Sequence, residues 1–193
     1  MVRTWHTLLG LLWPQDDDQI VDRSTLPTTT FKQTQCLFSY KDISIQTLIK
    51  RTKYQADRQA AKQLAGYLDI YLNTLDGEYE IILMPVSYKR WRERGYNHLE
   101  LICNHSTHKN RVRSNILKKI RHTKQQTQVS KIARTKQQLG TFHCHVEQSR
   151  TVPSIVILFD DVITTGATMD AASETLLPHL PPHTKLVRLV IAH

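Results

Sequence analysis

The sequence predicts an α/β fold with a mostly parallel sheet. Two segments, 80–86 and 154–159, are apolar almost without a break, which is typical of strands that are covered on both faces. A further strand is expected over 185–192. Apolar residues recur at three- and four-residue spacing over 61–75, which predicts an amphipathic helix. Strands that alternate with helices in this way indicate a parallel sheet flanked by helices.

The other predicted elements complete this alternation. A first strand is expected at 36–40, and Ile45, Leu48 and Ile49 share one face of the helix that follows it. The remaining predictions are a basic loop after Pro85, a helix over 97–105, a strand over 115–120, a polar helix or an arm that orders on binding over 125–138, and a helix over 166–177.

The first 34 residues are predicted to form an irregular N-terminal segment, and residues 35–193 a single domain. A short apolar stretch at 8–13 precedes an acidic triplet at 16–18, and we interpret it as a short amphipathic helix. It is too short to span a bilayer or to form an ordinary signal-peptide core, so no stable membrane insertion is expected. The 3 cysteines contain no CxxC pair, which argues against a disulfide scaffold and favours a cytoplasmic location.

Positive charge is concentrated in the middle of the chain. Residues 89–150 carry fifteen Lys and Arg against three acids, a net charge of +12, whereas the whole chain carries +9. A basic segment of this size indicates a polyanionic partner, either a pyrophosphate or a nucleic acid. A basic surface that only keeps the protein soluble is the alternative.

Two carboxylates follow the most apolar predicted strand. Asp160 and Asp161 lie where this strand is expected to end, and ligands of α/β sheets collect at the carboxyl ends of strands. Two adjacent carboxylates can accept hydrogen bonds from the vicinal hydroxyls of a ribose, or hold Mg²⁺ through water.

A threonine- and glycine-containing loop comes next and leads into a predicted helix. The first turn of a helix has unpaired N–H groups and a positive dipole end, which together bind phosphate. Glycine lets the backbone approach the phosphate closely. A carboxylate pair and a phosphate loop at this spacing match a ribose 5-phosphate in size and chemistry. The alternative, that Asp160 and Asp161 belong to a receiver-type domain in which an aspartate accepts a phosphoryl group, would give the loop no role. The loop residues are Thr164, Thr165, Gly166, Ala167 and Thr168.

Residues 156–168 resemble the phosphoribosyl pyrophosphate signature of the type I phosphoribosyltransferase family. The chain is most similar to its ComF/GntX group, the competence-associated phosphoribosyltransferase-like proteins, over about residues 36–193. Further segments carry this resemblance: Lys53-Tyr54-Gln55-Ala56-Asp57, Met84-Pro85-Val86-Ser87, Arg92-Glu93-Arg94-Gly95-Tyr96-Asn97, Arg121-His122-Thr123 with Gln126 and Arg134, and Leu139-Gly140-Thr141-Phe142.

The resemblance implies a type I phosphoribosyltransferase-like fold and a set of ligand contacts. Asp160 and Asp161 would accept hydrogen bonds from the ribose and, through water, contact Mg²⁺. The loop from Thr164 to Thr168 would bind the 5-phosphate. The residues implied for the pyrophosphate are Val86, Ser87, Tyr88, Lys89, Arg92 and Arg94.

One feature of the ComF group is missing from the N-terminal segment. Proteins of this group commonly begin with a four-cysteine zinc ribbon, but Cys36 is the only cysteine in the first hundred residues. Residues 1–34 therefore carry no zinc ribbon.

Two hypotheses from different classes remain open. In the first, the protein binds phosphoribosyl pyrophosphate with Mg²⁺ and transfers the phosphoribosyl group to an acceptor that the sequence does not identify. In the second, the sugar-phosphate site is a relic, and the protein is an accessory factor that binds single-stranded DNA through its basic segment. The resemblance implies a link to the competence machinery in either case.

Overall fold

The computed structural model of the protein describes residues 26, 28–119, 142–145 and 153–193. In these ranges six strands form one sheet, in the order β1-β2-β8-β7-β3-β4, and two more form a small antiparallel sheet, β5-β6. All neighbours in the large sheet are parallel except β1 and β2. The strands are β1 Thr29–Phe31, β2 Thr34–Phe38, β3 Tyr79–Leu83, β4 Val112–Arg113, β5 Leu117–Lys119, β6 Phe142–Cys144, β7 Ile155–Val162 and β8 Lys185–Ala192.

Five described α-helices connect these strands: α1 Ile43–Gln55, α2 Arg58–Leu72, α3 Tyr88–Arg94, α4 His98–Cys103 and α5 Ala167–Leu176. Four of them begin with a short polar side chain that accepts a hydrogen bond from a backbone N–H of the first turn, which fixes where each helix starts. These N-cap residues are Asp42, Asp57, Ser87 and Asn97. Helix α5 differs, because its N-cap is Gly166 and no side chain caps it.

Strand β7 lies in the middle of the core. Residues 156–159 are buried, and β3 and β8 pair with the two edges of the strand. Strand β3 ends at Leu83, opposite Phe159, whereas β7 continues to Val162 beside β8. The last three residues of β7 therefore lie at a carboxyl edge where one neighbouring strand has already ended, and this step in the sheet makes room for a cavity.

The structure confirms the predicted α/β fold with its mostly parallel sheet, and β8 has the predicted bounds. Three predictions need correction. Strand β7 does not end before Asp160, because β8 continues to pair with it. The basic segment after Pro85 contains helix α3, which Ser87 caps. Thr29–Phe31 pairs with β2, although it was expected to be irregular.

Other predictions fall outside the described residues. The amphipathic helix at 8–13 and the polar segment 125–138 belong to ranges that the structure does not describe, so the division of the chain at residue 34 stays a prediction. No helix in the described ranges is long and apolar enough to cross a membrane.

Candidate functional site

A cavity of about 750 Å³ opens where β7 extends beyond β3. Its walls come from β7 and the loop after it, from the segment that follows β3, and from α1 and the start of α4. The cavity brings together most of the residues that the sequence predicts for a sugar-phosphate site: Val86, Ser87, Arg94, Asp160, Asp161, Thr164, Thr165, Gly166 and Thr168.

Four predicted residues do not line this cavity. Tyr88, Lys89 and Arg92 lie on α3 but contribute nothing to its wall, whereas Arg90 of the same helix does. The reason is that α3 is a helix, so consecutive side chains point in different directions. Ala167 begins α5 behind the loop and is also absent from the wall.

Asp161 is buried and paired with two basic side chains. Lys53 Nζ of α1 lies 2.5 Å from Asp161 Oδ2, and His98 Nε2 lies 3.3 Å from the same oxygen. Burial alone would raise the pKa of Asp161, but His98 and Lys53 outweigh it and hold this pKa well below its usual range. Asp161 is therefore an ionised acceptor at neutral pH.

Asp160 has the opposite electrostatic environment. Burial raises the pKa of its carboxyl, and the negative charge of Asp161 raises it further, to about 8. The Asp161 backbone N–H donates to Asp160 Oδ1 at 2.9 Å, which opposes the rise. Two adjacent carboxyls of one strand thus have different tendencies to carry charge, and a cation or a sugar hydroxyl in the cavity would change the balance between them.

The loop from Thr164 to Thr168 forms one wall of the cavity. Gly166 has a φ of 84°, a left-handed conformation that glycine adopts without strain. The threonine side chains at 164, 165 and 168 are exposed in the cavity wall. Since no side chain caps α5, apart from a long 3.4 Å contact from the Ala167 N–H to Thr165 Oγ1, its first backbone N–H groups remain available to an anion.

The opposite part of the cavity is basic and aromatic. Arg90 and Arg94 reach it from α3, and Lys50 reaches it from α1. The Arg94 guanidinium lies 5.0 Å from the ring centroid of Tyr54, in a cation–π contact. Its Nη1 atom is buried and makes no hydrogen bond to the described residues. An unpaired guanidinium nitrogen in a cavity wall suits a phosphate oxygen.

Sequence reasoning missed four residues of this site. Lys53 and Tyr54 belong to a segment that the resemblance had marked, but nothing in the spacing indicated that Lys53 reaches a carboxylate 108 residues away. His98 gave no signal, since one histidine among 10 is not distinctive. Arg90 was passed over for Arg92, because helix α3 was predicted as a loop.

The described residues offer few ligands for a metal ion. No group of three or more His, Cys, Asp and Glu side chains comes together in the described ranges, so a fully protein-coordinated site is absent there. Asp161 Oδ2 already contacts Lys53 and His98, which leaves Asp160 and Asp161 Oδ1. This donor set fits Mg²⁺ that is held mainly by substrate phosphates and water.

Comparison with known proteins gives one distant relative. No protein-family model matches the chain. The chain is 25% identical over 141 residues to competence protein ComFC of Streptococcus pneumoniae (strain ATCC BAA-255 / R6). The match covers 72% of this chain and 60% of the relative, so the chain spans less than two thirds of that protein's length. It supports, at a modest level, the resemblance of this chain to ComF-like proteins.

Proposed function

We propose that this protein binds phosphoribosyl pyrophosphate together with Mg²⁺ in the cavity at the end of β7. The observation that carries the proposal is that the Asp160–Asp161 pair and the uncapped N-terminus of α5 face one cavity. Its volume of about 750 Å³ is in the usual range for sites that take small molecules.

Each part of the ligand has a matching part of the cavity. The 5-phosphate would accept hydrogen bonds from the backbone of the loop 164–168 and from its threonine hydroxyls. The ribose hydroxyls would donate to Asp160 and Asp161. The pyrophosphate would lie toward Arg90 and Arg94, whose guanidinium groups can contact its oxygens.

The chemistry that such a site supports is transfer of the phosphoribosyl group. An acceptor forms a bond to C1 of the ribose while the bond from C1 to the pyrophosphate oxygen breaks. Bound Mg²⁺ would neutralise charge on the departing pyrophosphate. The chain's own contribution is positioning, because the phosphate loop and the two aspartates fix the sugar while the arginines stabilise the leaving group.

The relative suggests the biological setting. Since the similar protein is named a competence protein, we place the proposed activity in competence or in the use of DNA that competence brings into the cell. The described residues do not identify the acceptor.

The direct test is calorimetric titration of phosphoribosyl pyrophosphate in the presence of Mg²⁺. Wild type should bind, and the double variant Asp160→Asn/Asp161→Asn should lose most of the affinity. A matched control is Asp76→Asn/Glu174→Gln, which removes two exposed acids that do not line the cavity. A folded wild type that does not bind, or equal affinities for all three proteins, would overturn the proposal.

A second function, binding of single-stranded DNA, has its own supporting observation. The rings of Tyr88 and Trp91 on α3 stack with centroids 6.5 Å apart, and Arg92 lies 5.9 Å from the Tyr88 ring. Trp91 is 51% exposed, although tryptophan is usually buried. Proteins that bind single-stranded nucleic acid commonly combine exposed aromatic rings, which stack on the bases, with positive side chains, which contact the backbone.

This second function predicts that Trp91→Ala weakens binding of an oligothymidylate about tenfold, as expected for loss of one stacked base. Arg92→Ala should reduce the dependence of the affinity on salt concentration. Ile43→Ala is the control, because Ile43 is also an exposed apolar residue but lies on α1. If Trp91→Ala and Ile43→Ala bind the oligonucleotide equally well, α3 is not the contact surface.

A further inference from the structure

We propose that Lys53, His98 and Tyr96 are positioning residues that set how Asp161 contacts a sugar hydroxyl. This inference rests on the proposed function, because it assigns a role in the same sugar-phosphate site. It adds three residues that do not belong to the aspartate pair, the phosphate loop or the pyrophosphate segment. Lys53 lies on α1, His98 begins α4, and Tyr96 lies in the short segment before α4.

The two basic side chains that contact Asp161 both do so at the same carboxylate oxygen. Lys53 Nζ is 2.5 Å and His98 Nε2 is 3.3 Å from Oδ2. The Lys53 side chain is 17% exposed and that of Asp161 is 6% exposed, so water does not compete strongly for the pair. With Oδ2 occupied in this way, Oδ1 is the oxygen that Asp161 can present to a ligand.

Tyr96 joins the two elements that supply these contacts. Its hydroxyl donates to the backbone carbonyl of Thr52 at 2.7 Å and accepts from the Ala56 N–H at 2.9 Å. Thr52 directly precedes Lys53, and Tyr96 is two residues before His98. One hydroxyl therefore fixes the end of α1 relative to the start of α4.

Tyr96 does not line the cavity, but it contacts the end of the helix that carries Lys53. Ala56 has a φ of 51°, so α1 ends in a left-handed residue whose N–H faces the Tyr96 hydroxyl. The Ala56 N–H also donates to the Arg51 carbonyl within α1, and Arg51 pairs with Asp57, so the helix end keeps its own contacts. Loss of both Tyr96 hydrogen bonds removes the tie between this helix end and the residues before α4, and we expect Lys53 to shift as a result. Asp161 then loses the fixed orientation that favours a ribose hydroxyl.

His98 supports the same interpretation. It is only 5% exposed, and its Nε2 is 3.3 Å from Asp161 Oδ2, whereas its Nδ1 has no hydrogen-bond partner among the described residues. Buried polar atoms are normally paired, so we expect Nδ1 to gain a partner when a ligand binds while Nε2 stays beside Asp161.

The experiment compares two ligands that differ only in the hydroxyls. Ribose 5-phosphate has them, and tetrahydrofurfuryl phosphate has the ring and the phosphate without them. Wild type should bind ribose 5-phosphate more tightly. In Tyr96→Phe and in Lys53→Met the affinity for ribose 5-phosphate should fall about tenfold, the size expected for a hydrogen bond to a charged group. The affinity for the hydroxyl-free ligand should stay within about twofold.

Two further variants make the test specific. Tyr79→Phe is the matched control, because the Tyr79 hydroxyl also makes a 2.7 Å hydrogen bond, to His108, but neither residue lines the cavity. Lys53→Arg keeps the positive charge and should retain more of the preference for ribose 5-phosphate than Lys53→Met. Thermal unfolding of each variant shows whether it is folded. If Lys53→Met does not fold, the comparison of the two ligands is made with Tyr96→Phe alone.

The outcomes separate this inference from the proposed function. If wild type binds neither these two ligands nor phosphoribosyl pyrophosphate, the proposed function fails and the inference fails with it. If it binds only phosphoribosyl pyrophosphate, the inference alone is wrong. If wild type prefers ribose 5-phosphate and the variants keep the full preference, only the inference is wrong. An equal loss of affinity for both ligands would also overturn it, since that result indicates a general disturbance of the cavity.

Discussion

Lys32 Nζ donates a hydrogen bond of 2.7 Å to the backbone carbonyl of Thr165, across 133 positions of sequence. Lys32 and Gln33 form the turn between β1 and β2, and both have positive φ angles, 45° and 60°. This turn places a positive charge beside the proposed phosphate loop, although no sequence pattern marked Lys32 as part of the site.

Replacement of Lys32 by alanine should weaken binding of inorganic phosphate and of phosphoribosyl pyrophosphate by about threefold to tenfold, because one nearby charge is lost. The loss should become smaller at high salt, since Lys32 is exposed and screened. Lys62→Ala is the control: neither lysine lines the cavity, but Lys62 is an exposed residue of α2, whereas Lys32 bonds to the loop. Equal affinities for both variants would contradict a role for Lys32.

Gly166 is predicted to be irreplaceable in the phosphate loop. Alanine at this φ of 84° costs about 1–2 kcal/mol, and the added methyl group would lie 3.2 Å from the Lys32 side chain. We expect Gly166→Ala to lower both the melting temperature and the affinity for phosphate. Gly66→Ala should do the reverse for stability, by about 0.5–1 kcal/mol, because Gly66 lies inside α2 with open space around it. Chemical denaturation and calorimetry measure both effects.

Arg90 and Arg92 provide a test of which side of α3 faces the ligand. Arg90 lines the cavity and Arg92 does not. Arg90→Ala should therefore weaken pyrophosphate binding about tenfold or more, whereas Arg92→Ala should change it less than twofold. Titration with pyrophosphate distinguishes them. Should Arg92→Ala prove the more harmful, the helix would have to reorient when the ligand binds.

Asp160 should make the protein less stable as the pH rises. Its folded-state pKa of about 8 lies above the ordinary value of 3.8, so its contribution is fully present below about pH 4 and is lost as the pH rises toward 8. Asp161 has the opposite sign, because its lowered pKa stabilises the fold above about pH 4 and this contribution is lost in acid.

The corresponding variant is Asp160→Asn, which resembles the protonated carboxyl. At pH 8.5 it should be more stable than wild type by roughly 1–3 kcal/mol, because partial solvent access reduces the full value of the shift. At pH 4, near the ordinary pKa of the carboxyl, the two proteins should differ little. Unfolding by urea at both pH values tests this, and an unchanged difference between them would show that Asp160 is ionised in the native state.

The sequence was informative wherever a local pattern determines structure. Apolar runs located β3, β7 and β8, and the threonine–glycine loop located the start of α5, because strand burial and helix termini depend on neighbouring residues. A single short polar residue is a weak signal for the start of a helix, so the sequence around Ser87 did not predict α3.

Contacts between distant segments were not predictable from one sequence. The pairing of Lys53 with Asp161 depends on how α1 packs beside the end of β7, and no periodicity encodes that distance. The same holds for Tyr96, whose hydroxyl joins α1 to the residues before α4. The position of the loop between β7 and α5 was therefore predictable, while the residues that hold its surroundings in place were not.

His193, which follows β8, connects the turn-forming strand β1 with the cavity wall. Its ring stacks on Phe31 at 3.7 Å, its N–H donates to Phe38, its carbonyl accepts from Tyr40, and its side chain lines the cavity. A ligand that fills the cavity should therefore disturb the stack of the His193 and Phe31 rings. The NMR signals of these two rings would then report occupancy of the cavity without an added label.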